Sequence, residues 1–286
     1  MSVPPDERTF SAEDVLAGVP ADCRSCTGPG RIWVEVDGRG ECLRFYGGRP
    51  EGARGNPVIF LDGDAVQPGD RSKGAAWEVP RVYLQLSPLN MQREAEQYGG
   101  AAARTFVNLA RPGTYGSSGN HLERRREREV ALVDAAVSRL AERFGATRID
   151  LAGMSGGGHL VAALLARRTD IDCAVIASGN VAVRKRFEER GLDVDVTGYA
   201  DFVDPIAFVD DVARHPPRKV IMLTDPRDMI VSAASQRAYA DALRGAGVPV
   251  EQRFVGARPP DHHDLRFAAI LAALAVRIRG DVERRS

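Results

Sequence analysis

No run of about 18 apolar residues occurs in the 286-residue chain, so nothing in it reads as a membrane-spanning helix. Charge of one sign is lacking too. With 39 Lys and Arg against 39 Asp and Glu, no global field favours nucleic acid or an anionic membrane. The opening Met1-Ser-Val-Pro-Pro-Asp-Glu-Arg8 has neither a basic start nor an apolar h-region, so no secretory signal is visible. The default compartment is cytoplasmic, and a chain whose signal had been removed would look the same. Cysteine is scarce, with four residues at 23, 26, 42 and 173. Cys23-Arg-Ser-Cys26 has C-x-x-C spacing, but no second pair or His cluster completes a zinc site. A disulfide from Cys23 or Cys26 to Cys42 suits an exported protein, and free thiols suit a cytosolic one. Cys173, in the apolar run Ile171 to Ala177, reads as a small hydrophobe. The Arg-dense run Glu123 to Glu129 is interleaved with Glu, which predicts a solvated, internally paired helix face.

What is present is a globular composition, and the length suits one large α/β domain or two small ones. Residues 1–30 read as an irregular leader with one short helix near Ala12 to Leu16. Arg31 to Val36 and Glu41 to Tyr46 alternate around a Gly-rich turn and predict a hairpin. Pro57 to Leu61 is a short continuous apolar run, which suits a strand buried on both faces. Next come a helix from Asn90 to Ala102, a strand from Thr105 to Ala110 and a turn-rich loop from Arg111 to His121. A long helix is expected from Glu123 to Phe144, ending at Gly145. After the strand Ile171 to Ala177, residues 180–217 break the alternation and read as a small cap excursion over the sheet edge. Lys219 to Thr224 and Val248 to Val255 are strands, and Ser232 to Arg244 and Leu265 to Arg279 are helices. Strands alternating with helices after an antiparallel hairpin predict an α/β fold, a mostly parallel, doubly wound sheet covered on both faces. The expected organisation is leader 1–30, domain 31–280 with its excursion 180–217, and tail 281–286.

The chain is organised around Arg148-Ile-Asp-Leu-Ala-Gly153-Met-Ser155-Gly-Gly157-Gly158-His159. An apolar β-prone run stops at a glycine, one Ser follows two places on, and a helical pattern begins at once. Strand, sharp turn and helix form the context in which G-x-S-x-G marks a nucleophile. Gly153 and Gly157 leave room for the strained turn, and the Gly156 N–H points toward the space above Ser155. A serine hydroxyl needs a base to take its proton and a carboxylate to hold that base. Of five histidines, His262 and His263 follow the last strand on the correct edge, and His263, against the helix start, is the preferred base with His262 as the alternative. His159 more naturally packs locally, and His215 belongs to the opposite edge. Asp228 is the preferred acid and Asp225, which can serve merely to start the turn at Pro226, the alternative. A second oxyanion donor is expected among the backbone N–H groups of Gly63 to Ala65, chiefly Gly63 and Asp64. Two acidic side chains there are unfavourable unless they point away.

The order Ser155, Asp228, His263, with the elbow and the sheet pattern, resembles the α/β-hydrolase superfamily over roughly residues 31–280. Gly153-Met-Ser-Gly-Gly157-Gly158 is similar to the G-x-S-x-G-G form of prolyl-oligopeptidase-like serine peptidases and related esterases. Arg111-Pro-Gly-Thr-Tyr-Gly-Ser-Ser118 resembles that family's R-G-x-G-x-S loop, and Asp228-Met-Ile-Val231 its D-x-x-V acid motif. One departure is Asp62-Gly63, where many members carry His-Gly. The resemblance implies a serine hydrolase that cleaves a carboxylic ester or amide through an acyl-enzyme, with no metal or organic cofactor. Its expected partner is a small-molecule ester or short peptide, with no nucleic acid. The alternatives are a serine peptidase acting on short peptides and a non-catalytic binding protein of the same fold.

Overall fold

The computed structural model describes residues 6–69, 76–192 and 194–276. Its first elements are α1 (Ala12–Ala17), β1 (Arg31–Val36), β2 (Arg39–Gly48), β3 (Val58–Leu61), β4 (Gln67–Pro68), β5 (Trp77–Glu78), α2 (Arg81–Leu84) and α3 (Pro88–Ala102). Then come β6 (Phe106–Leu109), α4 (Glu127–Arg143), β7 (Ile149–Met154), α5 (Gly156–Leu165), β8 (Ile171–Ala177), α6 (Val183–Glu188) and α7 (Val209–Arg214). The series closes with β9 (Lys219–Thr224), α8 (Ala233–Gly245), β10 (Val250–Phe254) and α9 (Arg266–Leu274). The tail at 281–286 and the last residues of the helix expected to reach Arg279 lie outside the described residues.

Eight strands form one sheet in the order β1-β2-β6-β3-β7-β8-β9-β10. The leading pair is antiparallel, as is β2 on β6, and every pairing from β6 to β10 is parallel. Strands of such a sheet need apolar side chains on both faces, and all residues of β3, β7 and β8 are buried. Alternate residues feed two cores. Ile59, Leu61 and Leu151 pack with α4, α5 and α8, whereas Val58, Phe60 and Ala152 pack with α3 and α9. The chain places β6 on one side of β3 and then crosses to place β7 on the other. Loops leaving β3 and β7 therefore diverge at a topological switch point, where doubly wound sheets open a ligand crevice.

The leader is anchored: Phe10 packs edge-on against Tyr115, Val15 is fully buried, and Val19 exchanges backbone hydrogen bonds of 2.9 and 2.8 Å with Gly119. Of the two pairings open in the sequence, the disulfide joins Cys26 to Cys42, while Cys23 is an exposed free cysteine. The long helix begins at Glu127 and not Glu123, behind a 3-10 turn at His121–Glu123. The reason lies in Arg125, whose φ of 68° falls in the left-handed region and interrupts the helix. Its N–H donates to Glu129 Oε2 at 2.6 Å, tying down the entry to α4. The expectation of a solvated Arg face here is wrong, because Arg124 and Arg125 are 2% and 1% exposed.

Candidate active site

Ser155 stands between β7 and α5 with φ 54° and ψ −115°, a strained conformation for a residue with a side chain. The strain is held from both sides. Its N–H donates to Ala177 O at 2.8 Å and its carbonyl accepts from the His159 N–H at 3.0 Å. Only glycine fits around it: a side chain at 157 would strike the Leu61 carbonyl, and one at 156 would land on the Asp64 carboxylate and Arg111 guanidinium. These close approaches bring the loop after β3 against the turn after β7, in keeping with the Leu61–Gly153 register of the two strands.

The Ser155 Oγ lies 2.9 Å from His263 Nε2, and His263 Nδ1 lies 2.9 and 3.0 Å from the two Asp228 oxygens. An ionised carboxylate only accepts, so Nδ1 carries the proton and Nε2 is left to accept from the serine hydroxyl. Asp228 is 8% exposed and receives the N–H groups of Ile230 at 2.9 Å and Val231 at 2.8 Å on Oδ1. Gln236 on α8, which sequence reasoning did not single out, holds the Val231 carbonyl at 3.0 Å through its side-chain amide. Such an array can move a proton from hydroxyl to imidazole while the carboxylate fixes the ring.

The two alternatives occupy a separate pair of places. His262, with φ 51°, turns its Nδ1 to the Ala257 carbonyl at 3.1 Å and to Asp225 Oδ2 at 3.5 Å. Asp225 accepts from the Arg227 N–H at 2.9 Å and the Ala257 N–H at 2.7 Å, pinning the loop after β9 to the loop after β10. Arg227, against a partial offset from burial, holds the Asp225 carboxyl below its ordinary value. A further tie runs from the Met229 N–H to the Asp261 carbonyl at 2.9 Å. His159 is buried and bonded to Val203 O at 2.8 Å, and burial pulls its pKa down to about 4. A neutral ring packed in this way matches the local role expected of it.

The loop after β3 places Gly63 directly against Ser155, so that a Cβ at 63 would approach the Ser155 Cβ at 3.3 Å. Ala65 drops out as a donor because its N–H is already given to His121 Nε2 at 3.1 Å. Burial, then Arg111 and Arg124, push His121 well below its ordinary pKa, so it serves this loop as a neutral acceptor. Both acids of the loop point into cations. Asp62 meets Asn108 at 2.7 Å and Arg266 at 2.6 Å, and Arg266 also grips Glu94. Asp64 is shared by Arg111 at 2.8 Å, Arg124 at 3.0 Å and Arg125 at 2.8 Å. Behind them Arg111 pairs with Glu129 and Arg125 with Asp195, both at 2.7 Å. Burial alone would raise the Asp64 carboxyl, but Arg124, Arg125 and Arg111 outweigh it and hold the group well below the carboxylate range. The six-residue cluster went unread because opposite charges alternating along a segment ordinarily mean solvated pairs. The doubling of Asp at 62 and 64 beside a glycine was the only signal that cations had to be near.

Above Ser155 opens a cavity of about 450 Å³, walled by Gly63, Asp64 and Val66 on one side and by Val196, Ile230 and Val231 on another. Arg186 of α6 and Arg190 just after it line the cavity and donate to the Ile230 carbonyl at 3.0 and 2.7 Å. One other acidic cluster, Asp150, Asp172 and Cys173, brings possible metal-ligand atoms within 4.8 Å of each other. It sits where β7 and β8 begin, at the edge opposite Ser155, and its carboxylates are taken by Arg104 at 2.6 Å and Arg218 at 3.1 Å. Burial pushes the Cys173 thiol up to about 12, consistent with an inert packed side chain. Among the described residues no helix is long and apolar enough to cross a membrane.

By sequence, no family profile and no curated protein matches the chain. By structure it is similar to an esterase of Pyrococcus furiosus, at TM-score 0.57 and 14% identity over 85% of this chain and 86% of that one. Est1E from Butyrivibrio proteoclasticus, solved with ferulic acid bound, is similar at TM-score 0.56 and 15% identity, with 85% and 96% covered. An acylaminoacyl peptidase of Pyrococcus horikoshii gives TM-score 0.56 and 13% identity over 89% of this chain, which spans only 43% of the peptidase. All three share the α/β-hydrolase fold, and this chain has that fold as well.

Proposed function

We propose that the protein is a serine hydrolase that cleaves a carboxylic ester or amide through a covalent acyl-enzyme. The observation that carries this reading is the single line of contacts from Ser155 Oγ through His263 to Asp228, closed to 2.9 Å at each step. In this reading the Oγ attacks the substrate carbonyl carbon as His263 Nε2 takes its proton. Asp228, held by backbone N–H groups, stabilises the imidazolium that forms. The carbonyl oxygen becomes an oxyanion facing the N–H of Gly156 and the N–H groups of Gly63 and Asp64. Because the Asp64 carboxylate is spent on three guanidiniums, its charge is balanced close to where this oxyanion forms. His263 then returns the proton to the leaving oxygen or nitrogen, and water, activated by the same imidazole, releases the acid.

The strained elbow supports the nucleophile assignment, since a non-glycine residue at positive φ is retained only where the surroundings enforce it. Esterase neighbours of nearly the same length support an ester substrate by fold alone. A fluorophosphonate probe tests the proposal. Adduct formation on Ser155, abolished by Ser155→Ala and by His263→Ala, is the expected result. A folded protein that takes no label and turns over no activated ester would be a binding module, and the proposal would fall.

A further inference from the structure

Buried cations ordinarily have a carboxylate partner, and the arginines around Ser155 divide sharply on this point. Arg111, Arg124 and Arg125 are matched one for one by Asp64, Glu129 and Asp195. Arg186 is not. The residue is 9% exposed, its Nε donates to the Ile230 carbonyl at 3.0 Å, and its two terminal amino groups meet no acceptor among the described residues. Burial, then the positive neighbours Arg125 and Arg190, pull its pKa down to about 10, so it is still charged near neutral pH. Arg190, beside it on the cavity wall, donates among the described residues only to the backbone carbonyls of Met229 and Ile230. Arg258, across the mouth, has no ion pair among the described residues.

We infer that the substrate carries a carboxylate of its own, and that this group docks on the open fork of Arg186 while the scissile carbonyl sits at Ser155. The inference rests on the hydrolase reading and adds a substrate class to it: monoanionic esters or amides with a second, unreacting carboxyl group. A guanidinium with two parallel unused donors matches a planar carboxylate bidentately. The acidic groups that face the cavity argue for a single charge. Asp64 is already balanced, but Asp261 and Asp264 stand exposed on the segment that carries His263 and repel a more highly charged ligand. Position supports the same placement. The Asp204 carboxylate receives the N–H groups of Val183 at 2.8 Å and Arg184 at 3.1 Å, which anchors α6 and with it the Arg186 stem.

Two matched ester pairs test the inference: mono-p-nitrophenyl adipate against p-nitrophenyl hexanoate, and 4-acetoxybenzoate against methyl 4-acetoxybenzoate. In the first pair the charge lies on the acyl side and in the second on the leaving group. The expected result is a kcat/KM ratio favouring the anion by about tenfold or more in one pair, as a charge-assisted contact allows. That ratio should fall toward one in Arg186→Met and be partly kept in Arg186→Lys, and the responding pair tells which side of the scissile bond faces Arg186. Ratios that stay within about twofold of wild type in the folded Arg186→Met enzyme overturn the inference and leave the hydrolase reading standing. If no ester is turned over, the hydrolase reading fails, and calorimetry on Ser155→Ala decides the anion site alone. There, monomethyl adipate must bind more tightly than dimethyl adipate, and adding Arg186→Met must erase the difference. Equal binding of the two overturns the inference.

Discussion

Asp64→Asn isolates the charge cluster behind the elbow. The native cluster holds three guanidiniums and three carboxylates, and Asp64 is the one acid shared by all three cations. Glu129 and Asp195 still serve Arg111 and Arg125 after the substitution, but among the described residues the direct contacts left to Arg124 are the His121 carbonyl at 3.3 Å and the face of Trp77 at 4.6 Å. Removing one member of a buried ionic group costs about 3 to 5 kcal/mol. Because the Asp64 side chain is 20% exposed, the lower part of that range applies, about 3 kcal/mol. At roughly 2 °C per kcal/mol for a chain of this size, the melting temperature should fall by about 6 °C. Adding Arg124→Gln to Asp64→Asn restores the balance and should recover a good part of the loss. The pH dependence has a definite sign. Asp64 is held below its unfolded value, so its contribution is fully present above an unfolded pKa of about 3.9 and is lost as pH falls through the folded one. The gap between wild type and Asp64→Asn should therefore be constant from pH 7 to about 5 and shrink below about 4. Urea unfolding of both proteins across that range measures it. A gap under about 1 kcal/mol at pH 7, or one that widens in acid, would refute the reasoning.

Asp228→Asn should lower kcat/KM on an activated ester by about 10⁴ through loss of the correct imidazole tautomer. Asp225→Asn should instead lower the melting temperature with turnover kept within about tenfold, as expected of a residue that ties loops together. His263→Ala should abolish burst-phase acylation and His262→Ala should retain it, as stopped-flow release of p-nitrophenol would record. Gly156→Ala should remove activity even where the protein folds, because the added methyl group displaces Asp64 and Arg111. Reduction of the Cys26–Cys42 disulfide, which closes 16 residues, should destabilise the protein by about 3 kcal/mol, read by calorimetry with and without dithiothreitol.

Apolar periodicity was enough to read the strands of the eight-stranded sheet and the longer helices, because a doubly covered sheet writes its burial into continuous runs such as Val58–Leu61 and Ile171–Ala177. The short pair β4 and β5 carries no such run. The elbow was readable for a steric reason: no residue but glycine fits at 156 and 157. His263 could be preferred over His262 from its place against α9, and it is His263 that lies 2.9 Å from both the Ser155 Oγ and an Asp228 oxygen. Polar partnerships across the chain were another matter. Asp64 and Arg125 are 61 residues apart, and Arg125 and Asp195 are 70. Nothing in local pattern tells a buried arginine from a solvated one, so the run at 123–129 was misread. The choice of Cys26 over Cys23 depends on where the leader crosses β2, which only the fold determines.

The crowding around Ser155 divides the crevice into a part closed to change and a part open to it. Positions 153, 156 and 157 admit no larger residue without displacing backbone or the ion cluster. Val82, Val196, Ile230 and Arg258 meet the same crevice from four separate segments, and Val82 is 66% exposed. Descendants of this chain can thus exchange their outer wall piecemeal while the reactive bend stays invariant, so new preferences would arise at the mouth before the chemistry beneath it altered.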